Sequence, residues 1–177
     1  MRHRLNALGS CAVAVLAAAA TSADAKVRLL EAGIVCPEPR DGAARRAAPD
    51  TEIGHIDILE RDVGFDLLDR QVPAMRDLAF GLRVALKAGQ PETALTIVLE
   101  HPPLGDRAVT RQSWVQWVAG GEDTINLFTF DFPYEMVEGD WAFSIEVEGQ
   151  RVVSVPFDVG PPGSNPRVDE VCFVMSV

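Results

Sequence analysis

Apolar residues recur at every second position along most of this chain, the signature of strands with one face in a core and the other in water. Trp141, Phe143, Ile145 and Val147 alternate with Ala142, Ser144, Glu146 and Glu148, the cleanest instance. Leu78, Phe80, Leu82, Val84 and Leu86 do the same between Asp77 and Lys87, and Leu95, Ile97 and Leu99 repeat it beside Thr96 and Glu100. Phe128, Phe130 and Phe132 line one face of the segment from Thr124. Glu148-Gly149-Gln150 reads as a turn, and Val153, Val155, Phe157 and Val159 predict its partner strand. Wound as helices, these segments would scatter apolar side chains around the whole circumference.

The flanking segments are less regular. Val27–Val35 predicts a first strand and Asp169–Val177 a last one, while Ile53, Ile56, Ile58, Val63, Phe65 and Leu67 support one or two short strands within Thr51–Val72. Residues 37–50 read as a flexible loop, and Gly160-Pro161-Pro162-Gly163-Ser164-Asn165-Pro166 as a connector. Neither an internal repeat nor a domain boundary shows. Short strands at this spacing, closed by turns, predict a single all-β domain over residues 26–177, an antiparallel immunoglobulin-like β-sandwich with Trp141 in the core. Pro133-Tyr134 precedes the Trp141 strand, with Gly139 turning the chain into it. Tyr134 there resembles a tyrosine corner, in which the phenol bonds to backbone where the chain crosses between sheets.

The stretch His101-Pro102, Trp114, Phe130-Asp131-Phe132-Pro133-Tyr134-Glu135, Val137, Gly139, Trp141-Ala142-Phe143, Gly149 and Phe157-Asp158-Val159 is similar to a family of exported bacterial proteins known only as a domain of unknown function. The resemblance covers residues 27–159 and implies an immunoglobulin-like architecture. It carries no activity and no catalytic residue.

The first 25 residues read as a secretory signal: Arg2, His3 and Arg4, then an apolar run from Cys11 to Ala20, then Ala23-Asp24-Ala25 as a small-x-small cleavage site. Cleavage after Ala25 leaves 152 of the 177 residues and moves the net charge from −10 to −11, with the loss of Arg2, Arg4 and Asp24. So acidic a chain, without a Lys/Arg cluster, is a poor partner for nucleic acid or an anionic membrane surface. No apolar run in the mature chain is long enough to span a bilayer. Of three cysteines, Cys36 and Cys172 remain. An exported chain with two cysteines and no C-x-x-C predicts one structural disulfide. The expected location is the periplasm or the cell exterior.

Catalytic spacing is missing from the sequence. There is no G-x-S-x-G, and Ser144 and Ser154 fall within strands. His55 and His101 belong to no histidine pair that would start a zinc or copper site. Glu122-Asp123 and Glu135, Glu138 and Asp140 gather carboxylates that suit calcium, and equally suit an acidic, soluble surface. G-x-G-x-x-G and P-loop patterns are absent, and no cofactor is implied. The most informative feature is Ser113-Trp114-Val115-Gln116-Trp117-Val118. As a strand it sends Trp114 and Trp117 to opposite faces, so one enters the core and the other is free to stack on a sugar or anchor a protein. The sequence therefore favours a non-catalytic binding or accessory domain for an envelope protein or glycan, with Trp114, Trp117 and His101 as candidate contacts. The alternatives are a periplasmic enzyme built from acidic loops and His101, and a calcium-binding sandwich.

Overall fold

The computed structural model describes residues 26–38, 44–58 and 63–173. The export signal expected at 1–25 lies outside them. Ten strands are described: β1 Val27–Val35, β2 Ala44–Ala47, β3 His55–Ile58, β4 Gln71–Pro73, β5 Ala79–Leu86, β6 Thr93–Leu104, β7 Val109–Val118, β8 Asp123–Thr129, β9 Gly139–Val147 and β10 Gln150–Gly160. They form a three-stranded sheet ordered β1-β5-β8 and a five-stranded sheet ordered β4-β10-β9-β6-β7, with β2 and β3 as a separate hairpin. Among the described strands only β4 with β10 is parallel. The chain changes sheet between β4 and β5, β5 and β6, β7 and β8, and β8 and β9, a Greek-key path.

The alternating residues of the two sheets turn toward each other. Phe80 of β5 is the hub, with ring centres of Phe157 at 5.1 Å, Phe130 and Trp141 at 5.6 Å and Phe143 at 6.0 Å. Trp141 and Phe143 meet Phe80 edge-on, both at 81°, which suits the ring quadrupoles, and Phe130 and Phe157 are tilted. Glu148 and Gly149, both at positive φ (51° and 76°), join β9 to β10 in a two-residue turn whose twist matches the strands.

Residues 63–67 cover the three-stranded sheet from outside. Val63 and Phe65 pack on Val35 and Ala79, and the Ile34 N–H donates to the Leu67 carbonyl at 2.8 Å. A Cβ on Gly33 would lie 2.2 Å from that carbonyl oxygen, so only glycine permits the approach. Arg83, on the outer face of β5, holds the cover by donating to the Val63 carbonyl and to Asp123, each at 2.6 Å.

Two expectations need correction. The last strand, expected at Asp169–Val177, is instead a helical turn at Pro166–Val168 running into a wider turn at Asp169–Phe173, with residues 174–177 outside the description. A further strand has no place beside β10, since β9 and β4 flank it on both sides. Asn165 accepts from the Arg167 N–H, Pro166 takes a position where its missing N–H costs nothing, and Val168 and Cys172 face the core one turn apart. Cys172 there meets Cys36 in a disulfide (S–S 2.04 Å, Cα–Cα 5.1 Å) across a sequence separation of 136. Within the expected loop 37–50, Ala44–Ala47 pairs with β3. No apolar alternation announces this strand. It is held by Arg45 to Asp57 at 3.2 Å and by Arg46 reaching the Val115 carbonyl at 3.0 Å on the edge of β7.

Candidate functional site

Three connections converge at one end of the sandwich: residues 48–54 before β3, the β6–β7 turn, and the β8–β9 crossover with its 3-10 turn Pro133–Glu135. Gly105 marks the meeting point, where a Cβ would lie 2.7 Å from Glu52 Oε1 and 3.8 Å from Tyr134 Cδ2.

Buried polar groups tie these loops down. Gln112 of β7 accepts the Glu52 N–H through Oε1 at 2.8 Å, and its Nε2 donates to His101 Nε2 at 3.1 Å. His101 Nδ1 donates to the Pro102 carbonyl at 2.8 Å, so the ring is the neutral Nδ1–H tautomer with both nitrogens engaged. His101 is 6% exposed, its ring 4.8 Å from that of Trp141, and burial pulls its pKa below the ordinary histidine value. Arg107 clasps Glu52 through the carbonyl at 2.5 Å and the carboxylate at 2.7 Å.

Glu135 secures the crossover. It is 4% exposed, and its Oε2 accepts the Asp131 and Phe132 N–H groups at 2.7 and 2.9 Å. Burial raises its pKa to about 7, opposed by those two hydrogen bonds and reinforced by the Asp131 and Glu52 carboxylates. Tyr134 departs from the corner geometry. Its ring stacks on Phe132 (centres 5.4 Å, planes within 6°), and its hydroxyl has no hydrogen-bond partner among the described residues. The crossover is anchored instead by Glu135 and by Trp141 Nε1 donating to the Val137 carbonyl at 3.0 Å. The outcome is an outward aromatic pair, with Phe132 42% and Tyr134 38% exposed.

The tryptophans of β7 part company. Trp114 turns inward and donates to Asn126 Oδ1 at 3.2 Å, whereas Trp117 is 59% exposed beside Val115. The middle of that outer face is closed. Val98 and Ser144 are fully buried there, beneath Arg111–Glu146 at 3.9 Å and Arg151–Glu100 at 3.0 Å, pairs that cross them diagonally by strand register. Ser144 Oγ bonds to Ser154 Oγ at 3.2 Å. Among the described residues no three His, Cys, Asp or Glu side chains cluster as metal ligands do. Asp123 and Glu135, both considered for calcium, flank opposite ends of β8, and Asp123 is taken by Arg83.

Glu52, Arg107, Gln112 and Glu135 come from four separate places in the chain, so no local pattern in the sequence groups them. The legible signal was Phe132-Pro133-x-Glu135, a helix start with Glu at the capping-box position.

Glu135 makes a prediction about pH. Its folded pKa lies above the usual value of 4.5, so its stabilising contribution is fully present below about pH 4.5 and is lost as pH rises through about 7. His101 has the opposite sign: its lowered pKa stabilises above 6.5 and loses that contribution as pH falls. The difference between the parent and Glu135→Gln isolates the carboxyl, because Gln keeps an acceptor for both N–H groups. Glu135→Gln is expected to gain stability relative to the parent between pH 5 and pH 8, read from urea midpoints. Parallel pH profiles would refute the assignment.

The two facing sheets, the Greek-key path and the loop-built end define an immunoglobulin-like domain. The chain belongs to the family described as a domain of unknown function (DUF3859), which matches residues 23–159. It is similar to the crystal structure of an immunoglobulin-like protein from Pseudomonas aeruginosa, at 21% identity and a TM-score of 0.51, over 78% of this chain and 99% of that one. A β-D-glucoside glucohydrolase from Trichoderma reesei aligns at 10% identity and a TM-score of 0.35, over 77% of this chain and 19% of that one, too weak a likeness to carry an argument. No curated protein matches the chain.

Proposed function

We propose that this chain is an exported, non-catalytic binding or accessory domain that recognises an envelope protein or glycan, through its loop end and the outward Trp117. One observation carries the reading: Phe132 and Tyr134 are held outward on a crossover fixed by a buried carboxylate, beside loops clamped by Gln112 and Arg107. Ordering the loops before a partner arrives removes an entropic cost of binding. Export is supported by the signal-like residues 1–25 and by the Cys36–Cys172 bond, which belongs to an oxidising compartment. No helix among the described residues is long and apolar enough to cross a membrane. The enzymatic alternative has less to support it, since both nitrogens of His101 are engaged and the ring is buried.

The test is photo-crosslinking in the native envelope from a reactive residue placed at Trp117 and, separately, at Tyr134. A reproducible partner is the expected result, lost from the Trp117 position on Phe132→Ala or from the Tyr134 position on Trp117→Ala. Uncrosslinked monomer from both positions would refute the reading.

A further inference from the structure

Glu135 is a buried carboxylate held by two backbone N–H groups, and no Lys, Arg or His among the described residues forms a salt bridge with it. Beside it lie the exposed rings of Phe132 and Tyr134, whose faces carry the negative part of the aromatic quadrupole. The nearby cation, Arg107, is taken up by Glu52. The net charge of −10 adds the same sign at longer range. Each of these features is complementary to a positive charge. We propose that the edge formed by Phe132, Tyr134 and Glu135 docks a cationic side chain, Lys or Arg, of a partner protein, laid on the aromatic faces with its charge toward the Glu135 carboxylate.

This rests on the binding reading above and gives the chemistry of the partner. An anionic glycan meets the wrong sign here, and a neutral one makes no use of the uncompensated carboxylate. The charged or titratable groups around Glu135 are Asp131 and Tyr134 on its own crossover, Glu52 from residues 48–54, and Arg107 from the β6–β7 turn, with neutral His101 beneath against Trp141. A docked cation stabilises the ionised Glu135, so binding releases a proton and tightens as pH rises through its titration.

The probe is hexa-arginine amide, with hexa-glutamate and a neutral chitin hexasaccharide for comparison, titrated into the 15N-labelled mature chain. The amide signals of Asp131 and Phe132 report directly on the Glu135 contact. Any acidic protein attracts hexa-arginine, so the deciding variant is Phe132→Leu with Tyr134→Leu, which keeps charge and apolar bulk and removes both rings. Roughly tenfold weaker binding by that variant is expected, together with loss of the pH dependence between about pH 6 and 8 in Glu135→Gln. Equal affinity of parent and Leu variant would overturn the proposal. Binding of the hexasaccharide at those two amides, without hexa-arginine, would overturn the cation and leave the loop end standing as a binding face. Hexa-arginine binding at those amides without any crosslinked partner in the envelope would count against the broader reading alone.

Discussion

Reducing the Cys36–Cys172 bond is expected to lower the unfolding free energy by about 5 kcal/mol, the chain-entropy value for a loop closed across 136 residues of sequence. A domain of this size holds only about 5–15 kcal/mol in total, so the loss takes away a large share of its stability. Most of the effect belongs to the unfolded chain, because both ends of the bridge have other anchors. The Cys36 N–H donates to Asp66 Oδ2 at 2.8 Å, and Val168 is fully buried four residues before Cys172. The reduced protein is therefore expected to keep its fold at low temperature and to unfold at a much lower urea concentration. Urea curves with and without reductant, and for the variant Cys36→Ala with Cys172→Ala, measure this. Coincident midpoints would show that the bond adds nothing beyond the packing around it.

Trp141→Ala is expected to cost about 3–5 kcal/mol, the range for truncating a large buried aromatic. The ring is 1% exposed and meets Phe128 at 5.1 Å, Phe80 at 5.6 Å, Phe130 at 6.0 Å and His101 at 4.8 Å. It thus ties the facing sheets together and lies under the loop end. Its removal also leaves the Val137 carbonyl without the indole N–H, which loosens the crossover that carries Phe132 and Tyr134. Trp141→Phe restores most of the ring volume but not that donor. It is expected to recover most of the stability while the Asp131 and Phe132 amides exchange faster than in the parent. A denaturation midpoint unchanged by Trp141→Ala would place the ring outside the core.

The strands that carry the sandwich were legible because alternation is local: a pleated backbone sends successive side chains to opposite faces wherever it runs. The same geometry separated Trp114 from Trp117 in the sequence. Which of them faces inward was decided elsewhere, by Asn126 on β8 of the facing sheet and Phe143 on β9 of the same sheet, both in contact with Trp114. Likewise Phe132-Pro133-Tyr134-Glu135 marks a crossover in the sequence, but the local pattern points to the tyrosine as its anchor, and the folded chain uses the glutamate. From sequence alone, a phenol is the more natural group to bury and a carboxylate the less. Two backbone N–H groups aimed at one oxygen reverse that order, and they exist only once the crossover has formed.

Local pattern and counting were enough for the period-two strands, for the turn at Glu148-Gly149 and for matching Cys36 with Cys172, the two cysteines beyond the signal-like stretch. Each follows from neighbours in the chain or from simple counting. Long-range packing set the helical turn at Pro166–Val168, the pairing of Ala44–Ala47 with β3, the covering of β1 by residues 66–67, and the clamp of Glu52, Arg107, Gln112 and Glu135. These depend on which strand edges are already occupied and on where water is excluded. Both are properties of residues far apart in sequence, brought together only when the two sheets close.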